Sequence, residues 1–267
     1  MILHARPATA EDFPTFARLF PELGTGDPLP SETAWNTTQR PTTRIYELEG
    51  SVVAYAYFER MRELAYIRNI VVDPAHRGRG LGLALMHLLA DELRAAGCTA
   101  WRLNVDPRNT AALRLYQRVG LRPRYRSFAV RFDWPAVDLL PADDLPLGTC
   151  PIDPLDDPAL ESTFDLPPGQ LGSLRAKPGR LNLRLHDPTD PAAALGFASF
   201  DPDFPGAYPF RVARPGLAPA LLRALQPHAP AGTCMLVVED DEPLYARLLA
   251  AGAALRLEIS HLRGDLP

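Results

Sequence analysis

Arg77-Gly78-Arg79-Gly80-Leu81-Gly82 is the stretch of this chain whose residue types and spacing could do chemistry. An apolar, strand-like run at residues 67–72 and a short turn, Asp73-Pro74-Ala75-His76, lead into it. An amphipathic run at residues 83–96, which reads as a helix, follows it. A glycine-rich turn feeding a helix N-terminus exposes several backbone N–H groups, and the helix dipole adds partial positive charge there. Glycine lets the main chain approach a bulky anion with no Cβ in the way. The two arginines add charge-assisted donors. The natural ligand of such a nest is a phosphate or pyrophosphate.

The elements that must position this turn can be read on either side of it. A short strand at residues 2–6 precedes a helix capped by Thr9, with Asp12 as the capping-box acid. A Gly/Pro-rich loop spans residues 21–30, and Ser31 starts a second short helix. Strands at 43–48 and 52–58 are joined by the hairpin turn Glu49-Gly50-Ser51, and a third strand covers 64–72. After the helix come a strand at 99–105, a helix at 109–119 stopped by Gly120, and a strand at 124–132 that closes the unit. The order β-α-α-β-β-β-α-β-α-β predicts an α/β (α+β) mixed sheet with helices packed on it. Residues 134–168, dense in Pro and Asp, read as a linker with a helix at 156–164. The pattern then restarts: strands at 181–185, 194–200 and 208–213, a helix at 217–225, a strand at 233–238, a helix at 242–251 and a strand at 254–262. The passage from Asn104-Val105-Asp106 to Gly120 aligns with that from Val237-Val238-Glu239 to Gly252. Two tandem copies of one fold are expected, divided as residues 1–135 and 136–267.

Bulk properties narrow the function classes. The 267 residues, 46% hydrophobic and 22% charged, suit a globular protein with one or two cores. No apolar stretch approaches the roughly 20 residues that span a bilayer, and the first dozen residues hold Arg6, Glu11 and Asp12 in place of an apolar signal core. A cytoplasmic protein that inserts in no membrane is expected. Cys98, Cys150 and Cys234 are odd in number and widely spaced, which predicts reduced thiols and no zinc site. Residues 1–133 hold 18 Lys/Arg against 14 Asp/Glu, and residues 134–267 hold 10 against 18. The basic half is the one with the glycine turn, which fits an anionic ligand there. The arginines are scattered with no basic run, so no nucleic-acid partner is expected.

Residues 1–133, and most strongly 70–121, resemble the GNAT superfamily of acyl-CoA-dependent N-acetyltransferases. Two motifs carry the resemblance. Val71-Val72-Asp73-Pro74 leads into the Arg77–Gly82 turn, matching the family's pattern of Arg or Gln, two residues, Gly, one residue, Gly or Ala. Asn109-Thr110-Ala111-Ala112-Leu113-Arg114-Leu115-Tyr116 then ends at Val119-Gly120-Leu121. The resemblance implies a GNAT fold with acetyl-CoA as co-substrate and no metal. It implies that the amides of Arg77, Gly78, Arg79, Gly80, Leu81 and Gly82 hold the coenzyme A diphosphate. Ile70, Val71 and Val72 would bond the pantetheine arm where the flanking strands splay apart. Asn104 joins this cofactor-binding set, and Asn109 would contact the same arm or brace its helix. Tyr116 would sit by the thioester sulfur as general acid on the departing thiolate. A strand N–H at Val71 or Val72 would serve the oxyanion of the tetrahedral intermediate. The acceptor would be the primary amine of a small molecule or peptide, with a homodimer left open.

The sequence departs from some members at one point. They carry a glutamate eleven positions before the glycine turn, and here that position is Tyr66. Glu63, Glu59, Asn69, His76 and a water chain remain as routes for the amine's proton. Glu22, Asp27 and Trp35 lie in the segment that often lines the acceptor pocket. Plainer readings stand beside these: Tyr116 as a packed helix aromatic, Asn109 as an N-cap, His76 as a solvated turn residue, Cys98 as a small buried apolar group. In the second half the glycine pattern is missing around Arg211-Val212-Ala213-Arg214-Pro215-Gly216-Leu217, and Leu248 stands where the first copy has Tyr116. That copy is expected to bind no acyl-CoA and to serve a structural role. A non-catalytic acyl-CoA sensor or partner-binding module is the alternative to a transferase.

Overall fold

A computed structural model of the chain describes residues 3–24, 28–203, 206–230 and 232–267. Residue 2 of the expected first strand, and Asp27, lie outside the described residues. The chain divides into two compact units, Met1–Arg124 with Ser260–Pro267, and Tyr125–Ile259.

The first unit begins with β1 (Leu3–Pro7). Thr9 and Asp12 form the expected capping box ahead of α1 (Phe13–Leu19), and Arg6 holds the nearly buried Asp12 carboxylate with two hydrogen bonds of 2.7 and 2.8 Å. Ser31 caps the short α2 (Glu32–Ala34), which runs on as a π-helical turn over Trp35–Gln39. Next come β2 (Thr43–Leu48), β3 (Ser51–Met61) and β4 (Leu64–Val72), then α3 (Leu81–Ala95), β5 (Ala100–Val105) and α4 (Thr110–Arg118). Strands β1 to β4 pair antiparallel in chain order, and β4 pairs with β5 in parallel. One face of the sheet packs Ala65, Ile67, Trp101 and Leu103 with Leu85, Met86 and Leu89 of α3. The other packs Ile45, Tyr55 and Val71 with Phe16 and Trp35.

The strand that completes this unit differs from the expected one. Residues 260–265, in the last strand β12 (Ala254–Asp265), pair antiparallel with β5 from Ser260–Val105 to Asp265–Ala100. Leu262 is 1% exposed and joins the core under α3. Gly264 is fitted to its place: a Cβ there would lie 2.5 Å from the carbonyl oxygen of Gly120, which only glycine avoids. Leu262→Ala is expected to cost about 2–5 kcal/mol of stability, as for other buried leucines, read as a lower denaturant midpoint. An unchanged midpoint would show that the last strand does not close this core.

The strand expected to close the first copy, β6 (Arg122–Asp133), instead pairs over residues 127–133 with β11 (Thr233–Glu239) of the second unit. There β7 (Gly148–Pro151), β8 (Leu181–His186), β9 (Gly196–Asp201) and β10 (Gly206–Val212) pair antiparallel in order, and β10 pairs with β11 in parallel. Its helices are α5 (Asp157–Thr163), α6 (Gln170–Arg175), α7 (Ala218–Leu225) and α8 (Glu242–Ala250). The two units share one topology, as the expected duplication requires, but the strand expected to close the first copy serves the second unit and the strand expected to close the second copy serves the first. The first part of residues 134–168 is no bare linker: Trp134, Val137 and Leu140 lie in the second unit's core and β7 is built from it, while α5 falls at the helix expected over 156–164.

Candidate active site

Two local devices open the first unit's sheet. The parallel pairing of β4 with β5 ends at Ile67–Leu103, and beyond it β5 pairs only with β12. At the same point the β3–β4 register shifts between Tyr57–Asn69 and Phe58–Ile67, which leaves Arg68 as an extra residue in β4. Such a bulge bends a strand and sharpens its twist. Beyond it, the edge of β4 that faced β5 has no ladder partner among the described residues.

The turn after β4 supplies the donors. Asp73 accepts a 2.9 Å hydrogen bond from the Ala75 amide and a 2.7 Å one from Arg18, which holds its carboxyl below the usual range, the arginine contributing most. Gly78 and Gly80 have φ of +76° and +78°, the left-handed region that costs a side-chain-bearing residue about 1–2 kcal/mol. Gly80 is the N-cap of α3, and its carbonyl accepts from the Leu83 and Ala84 amides. The amides of Gly78, Arg79, Gly80, Leu81 and Gly82 have no protein acceptor among the described residues. A helix start with five free amides is built to receive an anion.

The end of β4, the turn and α4 bound a cleft of about 360 Å³. Of the residues expected at the site, Ile70, Val71, Val72, Arg77, Gly78, Gly80, Leu81, Gly82, Asn109 and Tyr116 line it. Arg79 and Asn104 do not; the Asn104 amide group donates to the Tyr66 hydroxyl at 2.8 Å. Arg77 is already engaged, with Nε on the Val72 carbonyl at 2.9 Å and Nη2 on Glu22 at 2.8 Å. Asn109 caps α4, accepting from the Ala112 amide at 3.0 Å, and also faces the cleft. Tyr116 is 9% exposed, and its hydroxyl has no partner among the described residues. Burial pushes it up to about 12, so it stays protonated at neutral pH.

Ala111, Ala112 and Leu115 also line the cleft and were not singled out from the sequence. The signal was available: Leu115 would lie 3.1 Å from a Cβ at position 82, so a glycine there and a leucine one turn along α4 belong together. Among the candidates for taking a proton, His76 and Glu22 reach the cleft, while Glu59, Glu63 and Asn69 do not. Burial raises the Glu59 carboxyl, but hydrogen bonds from Arg68 and Tyr57 outweigh it and leave the group below its ordinary value, a weak base. No metal-ligating cluster occurs among the described residues.

Residues 10–121 match the model of the Acetyltransferase (GNAT) family. The chain carries a GNAT-family domain. Its sequence is 38% identical over 71 residues to the [Ribosomal protein bS18]-alanine N-acetyltransferase of Escherichia coli (strain K12), covering 27% of this chain and 48% of that protein. It is 33% identical over 81 residues to the L-methionine sulfoximine/L-methionine sulfone acetyltransferase of Salmonella typhimurium, covering 28% and 47%. The chain spans about half the length of the curated relatives it matches. Two solved structures resemble the fold from end to end. A GCN5-related N-acetyltransferase from Sphaerobacter thermophilus has a TM-score of 0.66 at 21% identity, covering 99% of this chain and 96% of that one. A tandem GNAT protein from the clavulanic acid biosynthesis pathway has a TM-score of 0.58 at 17% identity, covering 100% and 99%. The GNAT fold, in tandem, is therefore the fold of this chain.

The second unit shares the GNAT frame, but the turn before its α7 is built differently. Its parallel pair β10–β11 continues to Phe210–Val238 across an irregularity. At the turn before α7, the Asp143 amide donates to the Gly216 carbonyl at 2.9 Å, Arg214 binds the Asp143 carboxylate, and a Cβ at Gly216 would meet that carboxylate at 1.9 Å. The chain's own carboxylate thus fills the turn that in the first unit presents free amides. Leu248, 1% exposed, stands where Tyr116 stands in the first unit.

Proposed function

We propose that the first unit transfers the acetyl group of acetyl-CoA to a primary amine by direct attack. The observation that carries this reading is the row of five free amides at residues 78–82, opening on a cleft whose β4 wall has an unpaired main-chain edge. The amides and the α3 dipole would hold the diphosphate, with Arg77 shared between Glu22 and the ligand. The β4 edge at Ile70, Val71 and Val72 would bond the pantetheine arm. Bound there, acetyl-CoA supplies an activated thioester carbonyl.

A β4 amide at Val71 or Val72 would donate to the carbonyl oxygen as charge builds on it, which is worth several kcal/mol in a dry site. Tyr116, neutral and without a competing partner, would give its proton to the leaving sulfur. The relatives' names, an N-terminal alanine acetyltransferase and an amino-acid-analogue acetyltransferase, fit a peptide or small-molecule amine as acceptor. No side chain is assigned as base. The second unit would serve as a structural partner that binds no acyl-CoA.

One observation favours a non-catalytic acyl-CoA sensor: Tyr66, at the position of some relatives' glutamate, is held by Asn104 and offers no base. Calorimetry with acetyl-CoA tests what both readings share, and thiol release across an amine library separates them. Binding with turnover is expected; binding without turnover on any amine would leave the sensor.

A further inference from the structure

A polar cluster lies where β4 and β5 part, on the face of the sheet away from α3, and no step above uses it. Ile67 and Leu103, the last parallel pair before β4 and β5 part, are buried in the core under α3. Strand alternation puts their neighbours Tyr66, Arg102 and Asn104 on the opposite face. There the guanidinium carbons of Arg68 and Arg102 lie 4.3 and 4.7 Å from the centroid of the Tyr66 ring, whose hydroxyl is locked by Asn104. Arg68 reaches Glu59 at 3.1 Å, and Glu59 also takes the Tyr57 hydroxyl at 2.9 Å. Arg102 makes no ion pair within 4.0 Å among the described residues, though its charge helps to lower the Glu59 carboxyl. Its one polar contact is with the Met61 sulfur at 3.9 Å, and its Nε is buried without a hydrogen-bond partner. Arg263, exposed, faces Arg102 across the β5–β12 ladder. Arg68 and Arg102 therefore share the Glu59 carboxylate, with Arg263 beside Arg102 in the ladder.

A half-buried guanidinium with an unmet N–H is costly unless an anion completes it. Its planar fork matches a carboxylate or phosphate. A ring stacked between cations holds their geometry before any ligand arrives. Resting on the transfer reading above, we infer that the amine acceptor carries an oxyanion, a carboxylate or a phosphate. Arg102, aided by Arg68 and Arg263, binds it, which aims the amine through the gap between β4 and β5. Arg102 sets acceptor specificity; it takes no part in the bond changes.

Matched amines test this in a thiol-release assay: β-alanine against β-alaninamide, and 2-aminoethyl phosphate against ethanolamine. The anionic member of at least one pair is expected to be favoured tenfold or more in kcat/KM, and which pair shows it tells carboxylate from phosphate. Arg102→Gln should bring that ratio near one, and Arg102→Lys, which keeps charge but not the fork, should restore part of it. Acetyl-CoA calorimetry on each variant reports whether the nest is still folded. Equal use of neutral and anionic amines, or a ratio that survives both Arg102→Gln and Arg68→Gln, overturns the inference and leaves the transfer reading standing. If no amine turns over, calorimetry with β-alanine and 2-aminoethyl phosphate decides. Binding lost in Arg102→Gln upholds the anion site while the transfer reading falls, and no binding overturns the site.

Discussion

Gly80→Glu should weaken acetyl-CoA binding by at least a hundredfold, a loss of about 3 kcal/mol or more. Two effects add. Position 80 has φ of +78°, where any side chain costs about 1–2 kcal/mol. A carboxylate at the mouth of the nest then puts negative charge among the amides that would receive the diphosphate. A Cβ at this position would meet nothing within 4 Å, so the substitution does not jam the core and the variant should fold. Gly80→Ala isolates the backbone cost and should weaken binding by about tenfold. Titration calorimetry reads both. Unaltered affinity in the glutamate variant would mean that the diphosphate does not dock at this turn, and both the transferase and the sensor readings would fall with it.

The second large effect is expected on turnover. Tyr116→Phe should lower kcat by about 10²–10³, within the range general acids contribute, with little change in acetyl-CoA affinity. The substitution keeps the α4 ring in its packing with the core under α3 and removes a hydroxyl that has no partner among the described residues, so stability should not drop. The pH profile adds a check. Because burial pushes Tyr116 up to about 12, the hydroxyl is protonated across the working range and contributes no falling limb near neutrality. The rate should rise with pH as the amine acceptor loses its proton, in both wild type and variant. An equal kcat in Tyr116→Phe would remove Tyr116 from the mechanism, and a rate that falls between pH 7 and 9 in the wild type alone would show the hydroxyl ionising there, against its raised value.

What the sequence disclosed about this site is what local chemistry determines. Glycines at 78 and 80 are demanded by φ alone, and Asn109 and Asp12 act as caps within three residues of their own position. Those features need no knowledge of the rest of the chain. The residues missed depend on register. Arg68 becomes an extra residue in β4 only because β3 and β4 slip by one there, and no composition marks that slip. Arg102 and Tyr66 are 36 positions apart and meet only through the β4–β5 pairing. Residues 134–168 read as a linker because Pro and Asp crowd them, yet Trp134, Val137 and Leu140 supply enough apolar surface to anchor the segment. Asp143, whose carboxylate fills the second unit's turn, looks from the sequence like one of many acids in an acidic half.

Alternation and β-branched content announce a strand but say nothing of its partner, so β6 was assigned to the first unit and β12 to the second. Synthesis makes that exchange matter. The ribosome delivers residues 1–124 first, but the strand that seals them emerges only after residues 125–259 have been made. At about 5–20 residues per second this is a wait of roughly seven to thirty seconds. Through that interval β5 stands as an open edge, a template for a neighbouring nascent chain. The nascent first unit therefore has to stay solvated, or be shielded by a chaperone, until its own closing strand arrives.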